Sequence, residues 1–426
     1  MRVAGRSAAL RRLGVMALPL AILPLLAAAD APTGGNPGTR AFVITNIFFV
    51  GGADAGTCSP MSVSALETFR ESLSPEEQAR YPQPQKRNEL SRLMDERLGF
   101  RRMLLSGTDA GGRLRIAQFP PDIPRGTQLT PDQALRVAAL NGFPKGRGRL
   151  AFSNRTIAYS ACSNPEDFPQ LARGHRLYEG RTAEGMDLDG KRDRSDFVGP
   201  AGQTGIDNQL WRAIGCTKAF RDASASAERE RTFLSARAPT LIRIEGIDDP
   251  RNDPDVTVTI SAAADPIVQD GRNQAVEWAS YADDADRRLT ATTHGRIVDG
   301  VLTTDPVDVR LNYKEQILDS PRDLRAARLR LELKPDGKAE GGFYGYYTLD
   351  SFYLSIEQMT QDGANASGVS CPGVRQAIDR LADGYRDSRT GKYTAISSAL
   401  RFYATPAFTT GVAARADAAG QAGGGR

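Results

Sequence analysis

Histidine is scarce in this sequence: its 426 residues include only His175 and His294. A three-histidine zinc site is therefore excluded, and the spacing of the two rules out the H-E-x-x-H metalloprotease motif. The G-x-S-x-G motif of serine hydrolases is also absent. We expect His175 to be an exposed loop residue among basic neighbours, and His294 to pack within an alternating strand.

Cysteine is limited to four residues, and no C-x-x-C pair occurs among them. Thiol redox chemistry and haem attachment therefore lack their usual signal. An even number of cysteines in an oxidising compartment predicts two disulfides, with three possible pairings. Cys162 with Cys216 closes the shortest loop, so we expect that bond, which leaves Cys58 to pair with Cys371.

Residues 1–29 have the features of a secretory signal peptide. Four arginines precede an apolar run over residues 13–26, which two prolines interrupt and which is too short to span a bilayer. The small residues Ala27, Ala28 and Ala29 then supply a cleavage signal. We expect a periplasmic or secreted protein with no transmembrane segment after signal removal.

Excess charge of either sign is missing from the chain that remains. The signal carries four arginines and no acidic residue, so 51 of the 55 basic residues stay, against 51 acidic residues. A neutral surface argues against nucleic acid as a partner.

Hydrophobic periodicity divides the rest of the chain into two regions. An apolar, β-branched run at residues 41–50 predicts a buried strand. Residues 62–105 predict helices, with a capping box that begins at Ser74, and a second capping box at Thr130 predicts a further helix through Leu140. From residue 239 onward, short alternating segments predict strands, and Pro335-Asp336-Gly337 predicts a hairpin.

These patterns predict an α+β protein. Its N-terminal region is mixed α/β with helices, and its C-terminal region is an antiparallel β-sandwich or barrel-like sheet with closing helices. The expected strands are residues 240–244, 256–260, 288–293, 307–311 and 328–334; the expected closing helices are residues 372–381 and 394–403. The expected divisions are a signal at 1–29, a leader at 30–40, the N-terminal domain at 41–222, a helical linker at 223–238, the β-rich domain at 239–412 and a disordered tail at 413–426.

Four aspartates fall within residues 187–196, which we call the acidic loop. Asp187, Asp189, Asp193 and Asp196 occupy relative positions 1, 3, 7 and 10, and Gly190 allows a sharp turn. Calcium takes six to eight oxygen ligands, and closely spaced aspartates supply several of them. The pattern resembles the acidic loops of EF-hands and thrombospondin type-3 repeats, although it lacks a glutamate at position 12 and any repeat.

We therefore predict a structural calcium site formed by Asp187, Asp189, Asp193 and Asp196, with Asn208 or Asp207 completing the ligand shell. The alternative is a solvated loop that Lys191, Arg192 and Arg194 neutralise. Asp207 also lies where the N-cap of a short helix is expected, and capping is the role we predict for it.

Aromatic residues concentrate at residues 343–347, followed by Phe352 and Tyr353. They offer a stacking surface for sugars or other flat ligands, although alternating aromatics in a strand also pack sheets. The predicted ligand-binding residues are Tyr344, Tyr346 and Tyr347, with Tyr344 and Tyr346 sharing one face.

These features favour an extracytoplasmic binding or accessory protein with a structural calcium loop and an aromatic ligand surface. Its partner would be a small molecule, a glycan or an envelope protein. A secreted hydrolase that acts on glycans through two carboxylates is the alternative, and an envelope scaffold protein is a third possibility.

Overall fold

The structure, a computed structural model, describes residues 38–52, 57–104, 118–123, 130–141, 151–153, 156–221, 238–312, 321–358 and 361–412. The predicted signal, most of the leader, the linker up to residue 237 and the C-terminal tail lie outside these residues.

Antiparallel sheet dominates the described chain. Its strands are β1 (Arg40–Phe49), β2 (Arg101–Leu104), β3 (Ala151–Ser153), β4 (Thr156–Tyr159), β5 (Thr240–Glu245), β6 (Asp253–Ala262), β7 (Ala279–Asp283), β8 (Ala291–Val298), β9 (Val301–Thr304), β10 (Val307–Leu311), β11 (Arg322–Leu333), β12 (Ala339–Thr348), β13 (Gly384–Arg386) and β14 (Tyr393–Val412). β2, β3 and β4 form a separate three-stranded sheet.

Eight of these strands close into a barrel in the order β1-β5-β6-β8-β9-β11-β12-β14, because β14 pairs back onto β1. Every pairing around the ring is antiparallel. The predicted barrel-like sheet is thus confirmed, but it includes the strand at residues 40–49. The described part of the chain, from residue 38 onward, forms one compact unit.

Helices pack against the barrel and make up much of the chain between β1 and β5. They are α1 (Ala65–Glu71), α2 (Pro75–Arg80), α3 (Arg87–Leu98), α4 (Pro131–Leu140), α5 (Gln209–Ile214), α6 (Lys218–Arg221), α7 (Leu349–Gln358), α8 (Gln361–Ala366) and α9 (Cys371–Leu381). Both predicted capping boxes are present, at the starts of α2 and α4. No helix in the described residues has the length and apolarity that a bilayer crossing needs.

The two largest hydrophobic cores of the described residues pack the helices and sheets together. The larger fills the barrel and extends under α5 and α9, through Leu210, Ile214, Val374 and Ile378. The smaller lies among α1, α3 and α4. Complete burial of an aliphatic side chain is worth about 1.5–3 kcal/mol, so the larger core dominates the stability.

The helix predicted at residues 394–403 is wrong, because this segment lies inside β14. It pairs with β12 on one side and β1 on the other. Ile396, Leu400 and Phe402 are fully buried. Ladder hydrogen bonds on both edges override a weak helical pattern.

The strand predicted at residues 288–293 is misplaced. A 3₁₀ turn occupies Arg287–Leu289, capped by the side chain of Asp286, and β8 begins at Ala291. Local capping by an aspartate competes with strand pairing at this point.

The predicted disulfide pairing is also wrong. Cys58 bonds Cys216, and Cys162 bonds Cys371. Choosing the shortest loop ignores tertiary packing: α9 lies against α5, and Cys371, the first residue of α9, meets Cys162 in the main core. The Cys58–Cys216 bond joins two points within the region between β1 and β5, and the Cys162–Cys371 bond joins that region to the C-terminal third of the chain.

We predict that peptide mapping under non-reducing conditions will recover the peptides containing Cys58 and Cys216 linked together, and those containing Cys162 and Cys371 linked together. A Cys162→Ala/Cys371→Ala variant should lose roughly 2–5 kcal/mol of unfolding free energy in urea denaturation, because removing the bond frees a long loop in the unfolded chain. A peptide joining Cys162 to Cys216 would contradict this pairing.

Candidate functional site

Three carboxylates converge where the acidic loop returns to the barrel. Asp187, Asp189 and Asp207 each place an oxygen within 4.8 Å of the others. We call them the carboxylate triad. Two of its members belong to the predicted calcium set, and the third was expected to cap a helix.

Backbone contacts hold the triad in place. An antiparallel bridge joins Met186 to Asp207, and Asp207 Oδ2 accepts a hydrogen bond of 2.7 Å from the Leu188 N–H. Asp187 Oδ1 accepts one of 2.7 Å from Gly190. Arg328, on β11, donates from Nη1 to the Asp187 carbonyl oxygen at 2.8 Å and so fastens the loop to the barrel wall.

The helix-capping role predicted for Asp207 is wrong, because Asn208 performs it. The Asn208 side chain accepts from the Trp211 N–H at the start of α5. Its Nδ2 donates to the carbonyls of Val50 and Glu184, both at 2.8 Å. The Asn208 side chain is buried, and these hydrogen bonds fix it against α5, Val50 and Glu184.

Asp193 and Asp196 lie outside the triad. Asp193 is exposed, and Asp196 uses Oδ2 to accept a hydrogen bond from the Asp193 N–H. Although these two aspartates are close in sequence to Asp187 and Asp189, their carboxylates do not join the triad.

Asp207 is buried beside other carboxylates. Its pKa is raised to about 6, mainly by burial and also by the charges of Asp189, Asp196 and Asp383, while the hydrogen bond from Leu188 opposes the rise. Desolvation also raises the pKa of Asp196 and of Asp383. The negative charges of the neighbouring aspartates therefore raise one another's pKa values throughout this cluster.

Asp189 differs from its neighbours because Lys191 compensates it. Lys191 donates to Asp189 from both its backbone N–H and its Nζ, and this side-chain hydrogen bond lowers the pKa of Asp189. Both groups are largely exposed, so the pair is weak. Within the described residues, no salt bridge reaches Asp187 or Asp207.

Gly205 packs closely against the acidic loop. Its φ is +77°, and a Cβ placed there would lie 2.9 Å from the Lys191 carbonyl oxygen and 3.3 Å from Asp187 Oδ2. A side chain at this position would clash with the Lys191 backbone, so the close approach of the chain to Asp187 requires glycine.

The predicted aromatic surface is mostly interior. Tyr347 is 1% exposed and packs on Phe49 and Phe352 in the main core. Tyr344 is 7% exposed beneath the acidic loop, and its hydroxyl donates to Glu184.

Tyr346 shares its strand face with Tyr344 but is only partly buried. Its ring meets the edge of Tyr385, which is 42% exposed. Burial raises the pKa of Tyr346 well above its ordinary range, and the charges of Asp207, Asp383 and Asp189 add to that effect. The aromatic face and the carboxylate triad, far apart in sequence, are therefore neighbours.

Both histidines differ from expectation. His175 is half-buried, with Nε2 2.8 Å from the Ala213 carbonyl oxygen, and desolvation lowers its pKa. His294 is exposed, with Nδ1 2.9 Å from Asp255 Oδ1.

His294 lines a cleft of about 520 Å³, which no pattern in the sequence indicates. Its lining comes from Met186 and the first residue of the acidic loop, and from residues on or beside β6, β8, β9 and β11. Alternation along β8 would have indicated that His294 and Arg296 share a face, but not which elements lie opposite.

The fold and site define a closed antiparallel barrel with two disulfides and an acidic loop folded onto its outer wall. No protein-family model, curated protein or solved structure matches the chain.

Protonation of Asp207 should make stability depend on pH when no divalent cation is present. Because its folded pKa of about 6 exceeds the ordinary value of 3.8, its contribution is complete below the lower value and is lost as the pH rises through the higher one. We expect Asp207→Asn to remove this loss and to be more stable near pH 7 by on the order of 1 kcal/mol after solvent screening.

Urea unfolding in a chelator, at about pH 4 and about pH 7, measures the effect. Asp193→Asn is the matched control, because Asp193 is exposed and lies outside the triad. Equal stability of Asp207→Asn and the unsubstituted protein near pH 7 would contradict the buried, repelled state of this carboxyl.

Proposed function

We propose that this chain is an extracytoplasmic binding or accessory protein in which a calcium ion at the carboxylate triad fixes the acidic loop against the barrel. The observation that carries the proposal is the convergence of Asp187, Asp189 and Asp207, with oxygens within 4.8 Å of one another and Asp207 buried.

Charge supports a cation at this position. Three carboxylates so close together repel one another, and the pKa of Asp207, raised to about 6, reflects both burial and that repulsion. A divalent cation cancels the repulsion and reverses the local preference for protonated carboxyls. Lys191 compensates Asp189 alone, from an exposed position.

Ligand chemistry supports calcium among the hard cations. Calcium takes six to eight oxygens in a flexible shell, whereas magnesium demands a near-ideal octahedron. The triad supplies carboxylate oxygens from a turning loop. Water would complete the shell.

The ligand surface in this proposal is the partly exposed pair Tyr346 and Tyr385, which lies beside the triad. Tyr344 shares the face of Tyr346 but is covered, and Tyr347 lies on the other face in the main core. Tyr385 has a φ of +53°, an uncommon conformation for a residue with a side chain. The two disulfides suit an oxidising compartment outside the cytoplasm.

One observation favours a glycan hydrolase as the second candidate. Burial raises the pKa of Asp207, whereas the hydrogen bond from Lys191 lowers that of Asp189. Paired carboxylates with separated pKa values are how glycosidases divide the roles of general acid and nucleophile or base. Asp207 would then be the acid and Asp189 its ionised partner.

Calcium should raise the midpoint of thermal unfolding of the mature protein. At calcium concentrations about 100 times the dissociation constant, binding to the native state alone adds about 2.7 kcal/mol, which corresponds to a shift of several degrees. An Asp187→Ala/Asp189→Ala variant should lose that gain. Differential scanning calorimetry with calcium and with a chelator measures both.

Asp193→Ala is the control for this experiment, since it removes a carboxylate from the same loop but not from the triad. It should keep the full response to calcium. A calcium response that the double variant retains, or that Asp193→Ala loses, would place the ion elsewhere.

The hydrolase alternative predicts a different result. Asp207→Asn should lower the rate of reducing-end release from a responsive polysaccharide by about 100-fold or more, because it removes a general acid. The circular dichroism spectrum should stay unchanged. A panel of soluble glycans, assayed in a chelator, provides the measurement, and a panel on which the unsubstituted protein is inactive argues against this candidate.

A further inference from the structure

We infer that the cleft beside the acidic loop is a binding site for a neutral, polyhydroxylated ligand, that is, a saccharide unit. The inference rests on the proposed function only in taking the chain to be a ligand-binding protein, and no part of it requires the calcium ion.

The size and position of the cleft suit a small ligand. Its volume of about 520 Å³ falls within the roughly 300–1,000 Å³ of small-molecule sites. One wall is regular sheet: Arg296 on β8 lies directly opposite Thr303 on β9. Strand alternation keeps His294 and Arg296 on the outer face, with Ile297 buried beneath them.

The cleft is lined by charged groups of both signs. Asp187, Asp255 and Asp305 are among its lining residues, together with Arg296 and Arg328. The mixture is nearly balanced, so it gives no preference for a ligand with a net charge. A carboxylate offers two acceptors and a guanidinium a fork of donors in one plane, and each can bridge two neighbouring hydroxyl groups of a sugar.

Several polar groups are already oriented before a ligand binds. Oδ1 of Asp255 lies 2.9 Å from Nδ1 of His294, so Nε2 is the ring nitrogen that can contact a ligand. Arg328 is held by the Asp187 carbonyl at 2.8 Å. The Asp305 N–H donates to the His294 carbonyl at 2.8 Å, which fixes the turn that follows β9.

The same cleft offers apolar surface from Met186, Pro254 and Pro306. A pyranose ring has hydroxyl groups around its edge and C–H groups on its faces. It therefore matches a site with a polar rim and small apolar contacts. Inorganic anions would use only the arginines and would be repelled by the three carboxylates.

The test is isothermal titration of the mature protein with D-glucose, D-galactose, N-acetylglucosamine and cellobiose at millimolar concentrations, and separately with inorganic phosphate. We expect saturable binding of at least one saccharide. Arg296→Ala and Asp305→Asn should each weaken it about tenfold, the cost of losing a hydrogen bond to a charged group. Arg272→Ala, which removes an exposed arginine outside the cleft, should change nothing.

Three outcomes would overturn the inference: no saccharide gives saturable binding, phosphate binds in place of the saccharides, or binding survives both cleft substitutions. Titrations with calcium and with a chelator separate this inference from the cation proposal. Saccharide binding without any thermal response to calcium would contradict the cation proposal alone. A calcium response without saccharide binding would contradict the cleft proposal alone.

Discussion

Backbone pairing between the first and last strands of the barrel is the constraint on which the rest of the structure depends. β1 is bonded to β5 on one edge and to β14 on the other. The chain between β1 and β5 must therefore leave the barrel and return to it. That excursion carries the helices of the smaller core, the acidic loop and α5, and the two disulfides anchor it.

Because the excursion folds back onto the barrel wall, groups far apart in sequence become neighbours. Arg328 of β11 bonds the backbone of Asp187, and Tyr344 of β12 bonds Glu184. Arg401 of β14 also pairs with Glu184, at 2.9 Å. The segment from Glu184 to Asp187, which leads into the acidic loop, is in this way attached to three strands of the sheet, so the loop begins from a rigid support.

Features set by local chemistry could be predicted from the sequence. The capping boxes at Ser74 and Thr130 need only residues three positions apart, and the hairpin at Pro335-Asp336-Gly337 needs only a turn between alternating strands. Asp187 and Asp189 were also correctly assigned to one cluster, because two residues of separation on a turning backbone keep them together.

What depends on long-range packing could not be predicted. The identity of β14 as a strand comes from two partners more than forty residues away, and the disulfide pairing comes from the contact of α9 with α5. Asp207 lies in the triad because its backbone forms an antiparallel bridge with Met186, and the spacing of residues in the sequence does not indicate this contact. For the same reason, the interior position of Tyr347 became apparent only in the closed barrel.

The length and position of β14 have a consequence for biosynthesis. β14 runs for 20 residues and satisfies edges of both β1 and β12. The β14 residues that pair with β1 and β12 are 395–406, and until the ribosome has made them those two edges have no partner. The incomplete chain therefore presents open, apolar strands that can pair with other chains. Closure is a late, non-local event, so the nascent polypeptide must be kept apart from other chains until its last strand is made.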